Sequence, residues 1–354
     1  MLYDFKSDTM RIVRIIRNYE TMNYKIENEV IKQMSWIPFL CLGIGLIVGF
    51  QRLTTSILKV IDLLTNLSLV VLMLTIGANI GTNDLLMSNL PRIGLDCVVI
   101  ASLAIVFSIF FTFILEKTIL PLEEVSRKLS SEKINVNNVD GEIGLLEEEK
   151  KKTSPLIWVM PISIIVGILF GNFMMPQNLI FVLDYLLTIA LVVLYVSVGI
   201  SLGANRMVFK YIKVLGWKIV LLSITIFIGS IVGGTLSGII LKLPIHISVI
   251  SASGMSYYSI TGAYMSQVYG VVVGTYGFMV NVMREFLTVL FLPFIVRISK
   301  GSPIASGAAG NMDTMLVPVT KFVGPELGLV TLVTGTILTF AVPFILPMLY
   351  NLFS

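Results

Sequence analysis

Two carboxylates stand in otherwise apolar sequence in the last third of the chain: Glu285, within Val271 to Ile298, and Asp313, within Gly301 to Gly324. Carboxylates so placed can hold a cation when ionised and release it when protonated, which is the chemistry of a cation or proton site. If Val271 to Ile298 is one helix, Glu285 lies roughly 20 Å from either end at about 1.5 Å per residue, too deep to snorkel. An unpaired charge at that depth costs about 2.5 to 3.5 kcal/mol even on lenient insertion scales, so the group must face a cavity, a partner or a proton. Arg284 is its neighbour in sequence, but adjacent helical positions point about 100° apart. The arginine is therefore expected to pair with another segment, Asp313 being the candidate. The alternative for this cluster is a purely structural buried network.

The elements that position these groups must be membrane helices. Of the 354 residues, 56% are apolar and only 13% are charged, and the mean hydropathy is +0.92, outside the range of soluble domains. Apolar runs of about 20 residues recur, the length that crosses a bilayer core of ~30 Å, and none alternates as barrel strands do. The fold class read here is all-α, polytopic and integral to the membrane. The net charge of +4 sits in short loops with no interleaved aromatics, which argues against a nucleic-acid partner. Cys41 and Cys97 are the only cysteines and His246 the only histidine. No HExxH or GxGD motif and no Ser/His pairing is present, so neither an enzyme nor a bound metal or cofactor is expected. His246 reads as a membrane-surface residue rather than a proton relay.

Six spans are expected at Trp36 to Phe50, Val60 to Ile80, Ile93 to Leu115, Leu156 to Phe173, Leu179 to Leu202 and Val214 to Leu241. Leu69 to Asn83 and Leu191 to Asn205 agree at seven of fifteen positions, at an offset of 122 residues. The same offset places Gly45, Gly49, Asp62 and Gly94 on Gly167, Gly171, Asp184 and Gly216. A unit of three spans (34–120, then 156–241) enters the membrane from opposite sides in its two copies, an inverted repeat of the kind secondary transporters use. Four GxxxG pairs (Gly45/Gly49, Gly77/Gly81, Gly167/Gly171, Gly199/Gly203) would let backbones approach closely. Asp62 and Asp184 are expected to cap their helices, a transport role being the alternative. Between the copies, 121–155 reads as a solvated polar linker.

With the N-terminus outside, most flanking basic residues fall in inner loops, as the positive-inside rule requires. Residues 1–33 conflict with this, since their basic residues would be translocated. Met34 is an alternative start that removes the conflict, and a basic amphipathic segment on the membrane face is the other reading. Residues 1–33 also lack the compact apolar region of a cleavable signal peptide. In the last region, 242–354, Leu243 to Gly270 and Gly301 to Gly324 are rich in small and hydroxylated residues. Such sequence is tolerated at membrane depth only against protein or a wet cavity. Both are read as re-entrant or discontinuous segments between two long helices, Val271 to Ile298 and Leu327 to Leu352. That gives eight spans, with ten as the alternative, and a C-terminus outside in either count.

The run Ser251 to Gly262 (SASGMSYYSITG), the Arg284-Glu285 pair in its long helix, and Gly307 to Asp313 (GAAGNMD) together resemble the bacterial L-lysine exporter (LysO-type) family. The resemblance extends from Met34 onward and is densest after Leu241. It implies an inner-membrane exporter of L-lysine and of analogues such as thialysine, with eight spans and paired intramembrane acids at Glu285 and Asp313. Asn281 stands where the family often carries an acid, and the spacing from Asp313 to Pro318 is one residue longer than usual. Proton antiport is the mechanism expected, with lysine, protons and the lipid bilayer as partners. Ser253, Ser256, Tyr257, Ser259 and Asn311 are expected to bind the α-carboxylate and α-amine of the solute. A carrier for another cationic or small amino acid, and a cation channel, are the alternatives.

Overall fold

A computed structural model describes residues 37–51, 53–131, 155–176, 180–204 and 215–353. The N-terminal extension 1–33, Asn205, and the basic residues Arg206, Lys210 and Lys213 lie outside the described residues. The described chain is all-helical. The first group of elements is α1 (Ile37–Gly49), α2 (Thr55–Gly81), α3 (Asp84–Thr118) and a short α4 (Leu122–Ser131). After it come α5 (Pro155–Phe173), α6 (Ile180–Ala204) and α7 (Lys218–Leu241). Among the described residues, six helices are long and apolar enough to cross a membrane: α2, α3, α6, α7, α10 (Val271–Ile295) and the C-terminal helix α13 (Gly328–Phe353). Two of the expected spans, in α1 and α5, are shorter apolar helices. The protein is thus a polytopic all-α membrane protein.

The glycine pairs explain how four of these helices pack. A Cβ at Gly45 or Gly49 would overlap the backbone of α6 around Gly199 and Gly203, and one at Gly77 or Gly81 would overlap α5 between Ile164 and Asn172. Each GxxxG face therefore meets another, α1 against α6 and α2 against α5, and backbones touch where any side chain would hold them apart. The third helices of each group meet in the same way. Gly229 and Gly233 of α7 lie on Ser108 and Ala104 of α3, and Ser108 and Ser230, which are 122 residues apart, share a hydroxyl hydrogen bond of 3.3 Å.

Two expectations change. Asp62 and Asp184 lie beyond the first turns of α2 and α6 and are exposed, so they cap nothing; a side chain that deep in a helix cannot reach the free N–H groups of the first turn. The start of the polar linker is helical, because Leu122 and Val125 share one face and pack on the hydrophobic core. Residues 132–154, the rest of that linker, are outside the described residues.

After α7 the chain ends its helix at Lys242 in the left-handed region (φ 56°), with Leu243 N–H returning to Gly238 O, and Pro244 prevents continuation. Each of the two hydroxyl-rich segments then forms a hairpin of short helices. In the first, α8 (Ile245–Ala252) and α9 (Tyr258–Tyr269) bring the His246 and Tyr269 rings together at 5.1 Å. In the second, α11 (Gly301–Gly307), a 3-10 turn (Ala308–Met312) and α12 (Leu316–Val323) return so that Lys300 Nζ meets Val323 O at 3.5 Å. The tips of the two hairpins touch, Ala309 N–H donating to Met255 O at 2.9 Å.

Candidate functional site

The tips are where the backbone departs from helical geometry. Met255 (φ 49°), Ser256 (φ 76°) and Ala308 (φ 51°) all occupy the left-handed region that L side chains avoid. Such conformations cost of order 1–3 kcal/mol each and persist only when the surroundings impose them. Asn281 of α10 supplies part of that constraint. Its Oδ1 accepts from Ser256 N–H at 2.7 Å, and its Nδ2 donates to Ser251 O at 2.9 Å and Gly277 O at 2.7 Å. The amide thus replaces helical partners that α8 loses where it stops. At the second tip, Asn311 Nδ2 donates to Ile304 O at 2.7 Å and Thr339 of α13 donates to Ala309 O at 3.1 Å. Gly335 of α13 has its Cα against Asn311 and Met312, leaving no space for a side chain.

Glu285 and Asp313 meet at this second tip. Thr314 Oγ1 donates to Glu285 Oε1 at 2.8 Å, and Thr314 N–H donates to the Asp313 carboxylate. One residue therefore bridges a carboxylate on α10 and one on the hairpin. Glu285 is half-buried and Asp313 exposed.

The remaining expected site residues divide. Ser253, Ser256 and Asn311 are buried at the two tips, and Ser253 Oγ, Ser256 Oγ and Asn311 Oδ1 have no hydrogen-bond partner among the described residues. Ser259 is buried in the first turn of α9, and Tyr257 is half-buried directly before it. Arg284 does not pair with Asp313. It is 1% exposed and points to the crossing of α3 and α7, where Nη1 donates to Ser230 Oγ at 2.8 Å and Nη2 to Ser108 Oγ at 3.2 Å. It also donates to Ala305 O at 3.1 Å and to Ser306 O at 3.2 Å. The reason is geometric. Glu285 faces the hairpin tip, and the residue before it in a helix is turned away from that direction.

Two acids of α3 escaped the sequence reading. Asp96 is buried, with its carboxylate 3.3 Å from Arg92 Nε and accepting from Tyr276 OH at 3.2 Å. The i,i+4 spacing from Arg92 was the available signal. Glu116 accepts the Gly301 N–H at 2.9 Å, at the start of α11; nothing in its sequence surroundings points to that partner. The serines on Arg284 were legible in principle, since Ser108 and Ser230 match at the repeat offset of 122.

This geometry can be set beside known proteins. The family model described as "Lysine exporter LysO" matches residues 162–350, more than half of the chain. The lysine exporter LysO of Escherichia coli K12 is 30% identical over 156 residues, covering 44% of this chain and 52% of that protein. A Haemophilus influenzae protein provisionally named a lysine exporter is 24% identical over 156 residues, covering 44% of this chain and 80% of that protein. The match thus spans about half the length of the Escherichia coli relative. No solved structure matches. The family-model match takes in both hairpins, α10 and most of α13, and the chain belongs to the lysine exporter LysO family of membrane transporters.

Proposed function

We propose that the chain is a secondary transporter of a bacterial cytoplasmic membrane that exports L-lysine, and analogues such as thialysine, in exchange for protons. The observation that carries this reading is the junction of the two hairpin tips beside Glu285 and Asp313, two carboxylates bridged by Thr314. In this reading the hairpins are re-entrant, opening to opposite sides. With α1 and α5 crossing alongside the six longer helices there are eight spans, the two three-helix units are inverted repeats, and the C-terminus is outside.

Export of a cation from a negative-inside cell works against about 2.3 kcal/mol per charge per 100 mV, so it needs a coupled ion. Glu285 and Asp313, both ionised, hold the side-chain ammonium of lysine. Protonation from outside removes their attraction and releases the cation outward, and the proton then travels inward with the empty site. Ser253, Ser256 and Asn311, whose buried oxygens lack protein partners, supply polar contacts for the α-amine and α-carboxylate together with Tyr257 and Ser259. A buried polar atom without a partner costs about 1–3 kcal/mol, and a polar solute that completes it recovers that cost.

Expression in a bacterial strain lacking its own lysine export tests the reading. Lysine in the medium and resistance to thialysine are the expected outcomes, with competition by other amino acids reporting the substrate range. A strain that retains its lysine and stays thialysine-sensitive while carrying the protein in its membrane would refute it.

A further inference from the structure

Short helix α11 is held at both ends by ionisable side chains from other elements. At its start, Gly301 N–H donates to Glu116 Oε1 of α3 at 2.9 Å. At its end, the guanidinium of Arg284 takes the Ala305 and Ser306 carbonyls at 3.1 and 3.2 Å. A carboxylate at the N-terminal end and a cation at the C-terminal end both match the helix dipole. Helix α11 breaks into the 3-10 turn at Ala308, so its last carbonyls have no following helical turn to satisfy them. Arg284 supplies the missing donors. Its other two hydrogen bonds go to Ser108 and Ser230, which face each other where α3 crosses α7. All four partners are neutral oxygens, and none belongs to Glu285, Asp313 or Thr314, the residue that joins those two acids.

We propose that Arg284 is a positioning residue. It fastens the hairpin that carries Asp313 to the α3–α7 crossing, and so fixes the distance between Asp313 and Glu285, without touching the transported solute. This inference rests on the reading of Glu285 and Asp313 as the cation site. An arginine rather than a lysine is required because a planar fork with five donors reaches two hydroxyls and two carbonyls at once. Ser108 and Ser230 belong to the same device, being the fixed points to which the fork is tied. When the fork is lost, the two carboxylates drift apart and the ammonium is held by one of them at a time.

The test uses the full chain in liposomes, with initial rates of labelled-lysine counterflow for Arg284→Gln, Arg284→Lys and the double variant Ser108→Ala/Ser230→Ala. The expected result is a rise in KM of about tenfold or more for Arg284→Gln and several-fold for the other two, with maximal rate per folded molecule changed less than twofold. A residue needed only for folding would lower the amount of protein and leave KM alone. A residue that bound the α-carboxylate of lysine would leave KM unchanged in the serine variant, in which the arginine is intact. If Arg284→Gln does not fold, the other two variants decide. Wild-type KM in both the serine variant and Arg284→Lys overturns the inference. Glu285→Gln and Asp313→Asn, run in the same assay, separate the two levels: wild-type counterflow in those overturns the proposed site itself, whereas loss in those with wild-type KM in the Arg284 and serine variants overturns only the positioning role.

Discussion

Two regions of this molecule solve opposite packing problems with the same small residues. In the helices α1, α2, α5 and α6, glycines lie where backbones cross and the helices run on without a break. At the hairpin tips, glycines and serines lie where helices stop, and Asn281, Asn311, Thr339 and Arg284 supply the missing partners. The first region is redundant, since a long uninterrupted helix needs only to fit its neighbour. The second is specific, because each broken backbone group depends on one named side chain. In the proposed function, rigidity lies in the crossings and chemistry in the breaks.

That contrast predicts which substitutions change transport and which change only stability. The largest effect is expected at the acids. Glu285→Gln or Asp313→Asn should cost transport about 3–5 kcal/mol, the scale of truncating one partner of a close charge pair, seen as loss of thialysine resistance with an unchanged unfolding midpoint in detergent. Next comes the seam. Gly81→Leu places a side chain into the backbone of α5 and should destabilise by about 1–3 kcal/mol, the usual cost of overpacking. The observable is a lower unfolding midpoint and less protein in the membrane, with KM for lysine unchanged in the molecules that fold. If Gly81→Leu changed KM and Glu285→Gln did not, the division between the two regions would be wrong.

Asn281→Leu falls between these classes. It removes two hydrogen bonds to the first tip and leaves the buried Ser256 N–H without its acceptor, a loss of about 2 kcal/mol. Both the unfolding midpoint and the lysine KM should shift, because this residue supports a tip and belongs to a spanning helix. The smallest effect is expected at the α3–α10 contact. Tyr276→Phe removes one hydrogen bond to Asp96, about 1 kcal/mol or less, and should lower the midpoint slightly and leave export intact. Strong loss of export in Tyr276→Phe would bring Asp96 into the transport pathway.

How much of this could be read from the sequence depends on the range of the interaction. Glu285 and Asp313 stood out because a charge in apolar sequence violates a local rule. The broken segments stood out because their composition cannot sustain a membrane helix. The glycine pairs were visible as a spacing, but which face meets which is a tertiary fact, and the mating of Gly77/Gly81 with Gly167/Gly171 appears only in the fold. Arg284 was misassigned for a related reason. Opposite charges suggest each other on paper, whereas neutral carbonyls at the end of a seven-residue helix leave no trace in composition. Capping by Asp62 failed because α2 begins at Thr55, before its apolar run, and Asp184 is the fifth residue of α6, past the first turn. Glu116 stood too close to the end of its span to be distinguished from a surface residue.

The central claim is that Glu285 and Asp313 exchange one cation for protons, and proton-driven lysine flux in liposomes containing the purified full chain tests it most directly. A pH gradient imposed with no lysine gradient should drive labelled lysine toward the acidic compartment, and the driven flux should vanish in Glu285→Gln and Asp313→Asn. Lysine movement that ignores the pH gradient in the wild-type protein, or a gradient-driven flux that survives in both variants, would contradict the account.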